Sequence, residues 1–133
     1  MDRRDILAER PLESGRGFMP GVSINPSRVL FTAGLTGRNP DGNLVAGGMG
    51  PQARRTFERL QAILSRAEAR FDNVIKQLVY VTDIDAYRES RPALRDLWLR
   101  HMGSHHPAMA LVAVTALVDA QAMVEIEATA VLA

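Results

Sequence analysis

The chain predicts an α+β fold in which two amphipathic helices cover one side of a mixed sheet. Three observations carry that expectation. Met123 to Val131 alternates with a period of two, with Val124, Ile126, Ala128 and Ala130 on one side and Glu125, Glu127 and Thr129 on the other, as a strand requires. Ala53, Phe57, Leu60, Leu64, Ala67 and Phe71 recur at helical spacing, with arginines and other polar residues between them. Leu94, Leu97, Trp98 and Met102 form a second helical stripe.

In chain order, Arg3 to Arg10 is a short mixed segment ending at Pro11, and Ser14 to Gly21, punctuated by glycine and proline, reads as a loop between two strands. Arg28 to Ala33 has the β-branched and aromatic content of a buried strand, and Asn39-Pro40-Asp41-Gly42 suits a type I turn, so a hairpin-like arm opens the fold. The first helix runs from Pro51 to about Arg70, since proline fits a first turn. Val74 to Thr82 is a strand. Pro92 fixes the start of the second helix, because proline in mid-helix costs about 3 kcal/mol. Tyr87 to Ser90 is then a separate turn, and Arg91, preceding proline, is biased towards extended backbone. Gly103 ends this helix, and Ala108 to Val114 and Met123 to Leu132 are the last two strands.

The 133 residues fit one domain, 1–133, with no internal boundary. No apolar run is long enough to span a bilayer, and no basic start followed by an apolar stretch marks a secretory signal. Cysteine is absent, which excludes disulfides, thiolate catalysis and cysteine-bound zinc; a cytoplasmic setting is expected. A net charge of +1 and few aromatic residues lack the footprint of a nucleic-acid binder, and no membrane partner is expected.

Glu125 and Glu127 are the candidate chemical groups. Two residues apart on a strand they stand roughly 6.5 Å from one another, separate enough to ionise independently and near enough to line one cleft. The competing reading is a polar strand face turned to water. Because the helices cover only one side, the face expected to carry Met109, Leu111, Glu125 and Glu127 needs another cover, and a homo-oligomer would supply it. Other features read as structural. Lys76, the single lysine, is a strand-edge residue whose stem covers apolar surface. His101, His105 and His106 do not form a metal set, since neighbouring histidines on extended chain point apart. Gly47 to Gly50 lacks the lysine of a phosphate loop. Arg91 at a helix N-terminus could hold an anion.

Read together, Phe18-Met19-Pro20-Gly21-Val22, Leu30 to Gly37, Val74 to Asp83, His106-Pro107-Ala108 and Val124 to Ala130 resemble the RidA/YjgF family in order and spacing over nearly the whole chain. The resemblance implies a chorismate-mutase-like homotrimer with a mixed six-stranded sheet, two helices on one face, and ligand clefts between subunits. It also implies hydrolysis of reactive enamines and imines to a keto acid and ammonia without a cofactor. In the family a glutamate of the last strand positions water, matching Glu125, and an arginine after the Pro-Ala dipeptide grips the substrate carboxylate.

That arginine position is Met109 here, which cannot make the bidentate contact. Phe18 stands where a tyrosine is usual, Ala33 for serine, Leu35 for glutamine, Leu111 for a common cysteine, and Arg91 near the family asparagine. The expected cleft is therefore lined by Phe18, Ala33, Gly34, Arg91, Met109 and Leu111 around Glu125. It takes a small, more hydrophobic imine or carbonyl metabolite, which Glu125 hydrolyses or tautomerises as acid or base. The alternatives are an archetypal 2-aminoacrylate-type deaminase and a non-catalytic ligand-binding trimer. An endoribonuclease role, also attached to the family, is disfavoured by charge and aromatic content.

Overall fold

The computed structural model describes residues 2–7 and 18–132. Strands β1 (Asp2–Ile6) and β2 (Gly21–Asn25) pair antiparallel as a small two-stranded sheet. A second sheet has the order β3-β6-β4-β5, built from β3 (Arg28–Phe31), β4 (Val74–Val81), β5 (Ala108–Ala113) and β6 (Val124–Leu132). Strand β6 enters between β3 and β4, antiparallel to both, while β4 and β5 are parallel. A parallel pair needs a long crossover, here supplied by helices α2 (Ile84–Glu89) and α3 (Arg91–Met102). Helix α1 (Met49–Arg66) links β3 to β4, and a 3-10 turn (Phe71–Asn73) precedes β4. Among the described residues the expected six strands are present, divided two and four rather than joined in one sheet.

The core lies between the helices and one face of the larger sheet. Phe57, Leu60 and Leu64 of α1 and Leu97 and Met102 of α3 pack with Val79 and Val81 of β4 and Val124, Ile126, Ala128 and Ala130 of β6. Phe57 is its aromatic centre, edge-on to Trp98 at 5.0 Å between ring centroids and tilted against Phe71 at 5.8 Å. Among the described residues no helix is long and apolar enough to cross a membrane.

Several expected boundaries shift, each for a local reason. Helix α1 begins at Met49 and ends at Arg66, four residues before Arg70. Glu68 takes a left-handed backbone, φ 58°, and the N–H groups of Glu68 and Ala69 turn back onto the carbonyls of Ser65 and Leu64, which closes the helix. The turn expected at Tyr87 to Ser90 is largely helical, because Asp83 caps α2 by accepting the Ala86 N–H at 3.0 Å. Ser90 is itself helical, so Arg91 is the first residue of α3 instead of extended. Lys76 is exposed at the start of β4, an inner strand, beside an irregularity between Val74 and Lys76. The Asn39 to Gly42 turn forms as expected, with the Gly42 N–H on the Asn39 carbonyl and Arg38 bridging Leu44. The expected loop from Ser14 to Gly21 lies partly outside the described residues.

Candidate functional site

Parity along β6 places Glu125 and Glu127 on the sheet face away from the helices, since Val124, Ile126 and Ala128 are committed to the core. The start of that strand is pinned from below. Gln52 of α1, buried, accepts the Met123 N–H at 2.7 Å and donates to the Gln121 carbonyl at 3.2 Å. One helical side chain thus holds the chain two residues before Glu125.

The opposite wall comes from the end of β3. Phe31 is opposite Thr129 and Leu35 is opposite Ile126, so four steps on one strand meet three on the other and one residue is extra. This is the signature of a β-bulge. Thr32 stabilises it: its N–H reaches the Ala128 carbonyl at 2.9 Å, and its hydroxyl oxygen accepts the Ala128 N–H at 2.9 Å while donating to the Ala33 carbonyl at 2.8 Å. The bulge brings Gly34 against Glu125. A β-carbon on Gly34 would lie 2.6 Å from Glu125 Oε2 and 2.8 Å from its Cδ, so the absence of a side chain there makes room for the carboxylate.

Tyr80 completes the cluster. It is the direct cross-strand partner of Glu125, and its hydroxyl donates to Glu127 Oε1 at 2.6 Å. That hydrogen bond is the main reason the phenol is held more weakly acidic than usual, followed by burial and by the charges of Glu127 and Glu125. Glu127 is occupied by this bond, whereas the Glu125 carboxylate has no hydrogen bond or ion pair among the described residues. Tyr80 had no part in the sequence expectation. The signal was available in the alternation of β4, which puts Tyr80 on the face opposite Val79 and Val81.

The remaining expected site residues fall into two groups. Ala33 and Gly34 join Glu125, and both are exposed. Met109 and Leu111 lie on the other face, correcting the expectation that they share one with Glu125. In register β5 sets Met109 beside Gln77 and Leu111 beside Val79, and both side chains pack on the helix-covered core. Gln77 is fully buried there, its amide without a hydrogen-bond partner among the described residues. Arg91 is exposed at the N-terminus of α3. Phe18 is half-buried, next to Met19, whose N–H bonds the Pro107 carbonyl at 3.0 Å. A groove of about 440 Å³ beside α1 and α3, lined by Val45, Pro51, Arg54 and Leu97 among others, contains none of these residues. Among the described residues no three His, Asp or Glu side chains are grouped to hold a metal ion.

A mixed sheet with β6 inserted between β3 and β4, helices on one face and acids on the other defines an α+β class, with the candidate site on the side away from the helices. The chain belongs to the family described as endoribonuclease L-PSP, the RidA/YjgF family, whose model matches residues 11–132. Human 2-iminobutanoate/2-iminopropanoate deaminase is 30% identical over 105 residues, covering 78% of this chain and 73% of that protein. A RutC family protein of Aquifex aeolicus is 33% identical over 114 residues, covering 86% and 87%. The crystal structure of a Rid family protein of unknown function from Yersinia pestis superposes with a TM-score of 0.83 at 27% identity, covering 99% of this chain and 100% of that one.

Proposed function

We propose that the chain is a cofactor-independent imine deaminase whose acid–base group is Glu125. The single observation behind this reading is the Glu125 carboxylate, without a partner among the described residues and seated over Gly34 on the sheet face away from the helices, in a chain that resembles proteins named 2-iminobutanoate/2-iminopropanoate deaminases. An imine carbon is already electrophilic, so the site has little to activate. Water adds to the C=N carbon while Glu125 takes one of its protons and passes it to nitrogen, giving the carbinolamine; Glu125 then moves the hydroxyl proton to nitrogen as the C–N bond breaks, so that ammonia and a carbonyl product leave. The comparisons favour this deaminase over the wider class of hydrophobic carbonyl ligands expected from sequence.

The division of the expected cleft between two faces supports assembly, which the resemblance implies is a homotrimer. Ala33, Gly34 and Glu125 face one way and Met109 and Leu111 the other, so a cleft containing both sets needs a second copy. The open face also leaves Phe31 75%, Val29 44% and Val112 47% exposed, more apolar surface than a lone chain leaves uncovered without reason.

A second reading concerns the substrate. Met109 stands where the resemblance implies an arginine, and a thioether cannot grip a carboxylate, which favours imines lacking that group. Ammonia release is measured from 2-iminopropanoate and from a carboxylate-free aromatic imine. Glu125→Gln is expected to slow the preferred substrate by about 100-fold or more. Met109→Arg is expected to raise activity on the imino acid relative to the aromatic imine. Full activity of Glu125→Gln on both substrates overturns the reading.

A further inference from the structure

Tyr80 is the residue of the open face that the reading above does not use. Its hydroxyl proton is committed to Glu127 Oε1 at 2.6 Å, so the phenolic oxygen keeps its lone pairs for another donor. On the same face, directly across from Tyr80 in the strand register, stands Glu125, whose carboxylate has no hydrogen bond among the described residues. Facing residues in a sheet have β-carbons about 4.5 to 5.5 Å apart. A water molecule held by both groups would donate one proton to the Glu125 carboxylate and the other to the phenolic oxygen. Its remaining lone pairs then point away from both acceptors.

Resting on the deaminase reading, we infer that Tyr80 is a second catalytic residue, which with Glu125 orients the hydrolytic water. Glu127 is a positioning residue: by accepting the phenol's proton it fixes the hydroxyl so that its oxygen acts as an acceptor. Without that bond the hydroxyl could rotate and donate to the water, turning the nucleophilic lone pair aside. Tyr80 takes up no proton from the water. The water oxygen bonds to the imine carbon, its two protons pass in turn through Glu125 to nitrogen, and the C–N bond breaks to release ammonia. The raised proton affinity of the phenol agrees with a group that stays protonated through the cycle.

The test uses the full chain and 2-iminopropanoate, with kcat and KM determined separately for Tyr80→Phe, Glu127→Leu, Glu127→Gln and Glu125→Gln. One lost neutral hydrogen bond to the reacting water corresponds to about a tenfold fall in rate. Tyr80→Phe is expected to lower kcat about tenfold at unchanged KM. Glu127→Leu should do the same, and Glu127→Gln, which still offers an oxygen to the phenol, should keep most of kcat. Loss of activity on Glu125→Gln with unchanged kcat in Tyr80→Phe overturns this inference and leaves the deaminase reading standing. Turnover that survives Glu125→Gln overturns the reading beneath it. Should Tyr80→Phe fold poorly by circular dichroism, the contrast between the two Glu127 variants decides: equal kcat in both overturns the role.

Discussion

Gly34 controls where the Glu125 carboxylate can stand. A methyl group at this position would overlap Oε2 at 2.6 Å, but the overlapped atoms are the end of a flexible, half-buried side chain beside the exposed Gly34. The side chain can turn away at little cost, so the substitution separates geometry from stability. Gly34→Ala is expected to leave the urea midpoint nearly unchanged while lowering deaminase turnover about tenfold or more, because an ångström of displacement at a reacting group has that order of effect. Steady-state rates beside an unfolding curve check both halves. Glu125 was legible in the sequence, since alternation along β6 needs only a period of two. The placement of Gly34 and Tyr80 beside it was less so. One depends on a bulge held by the Thr32 hydroxyl, the other on the register of β4 against β6, and both are long-range pairings that local pattern does not contain.

Between elements, Gly37 lies close against the backbone of helix α1. A β-carbon there would lie 2.7 Å from the Gln52 carbonyl oxygen and 2.8 Å from its Cα, both backbone atoms, so relief requires moving the helix. Overpacking of this kind costs about 1 to 3 kcal/mol. Gly37→Ala is expected to lower stability by that amount, read as a reduced urea midpoint at unchanged slope. Because Gln52 also holds Met123, displacing it disturbs the start of β6. The stripes of α1 and α3 were readable because they rest on local period. The end of α1 was not, since its stop at Glu68 uses a left-handed residue that is not glycine. The facing of β5 failed for another reason: a strand pattern gives two faces but not which one meets the core, and parallel register with β4 decides that for Met109.

At the scale of the whole molecule, a polar contact ties β1 to the segment before β5 and to the head of β4, and it carries a pH dependence. Arg3 of β1 donates to the His106 carbonyl at 2.6 Å and lies 3.1 Å from His105 Nδ1, while His105 Nε2 meets the Val74 carbonyl at the head of β4. With Nε2 donating to that carbonyl, Nδ1 must accept from the guanidinium, which fixes a neutral imidazole. Burial holds the proton affinity of His105 below its ordinary value, and the charges of Arg3 and His106 add to this, against opposing contributions from the Val74 carbonyl and Asp72. The unfolded chain therefore binds a proton near pH 6.5 that the folded chain refuses until lower pH. The stabilisation is present above about pH 6.5 and is lost as pH falls towards the lowered native value. His105→Gln can keep both contacts, its amide donating to Val74 and its oxygen accepting from Arg3, without titrating. Melting temperatures between pH 8 and pH 5 are expected to fall more steeply for the native protein than for this variant, with the gap opening below about pH 6.5. Parallel curves across that range would show that His105 does not couple protonation to the joining of the two sheets.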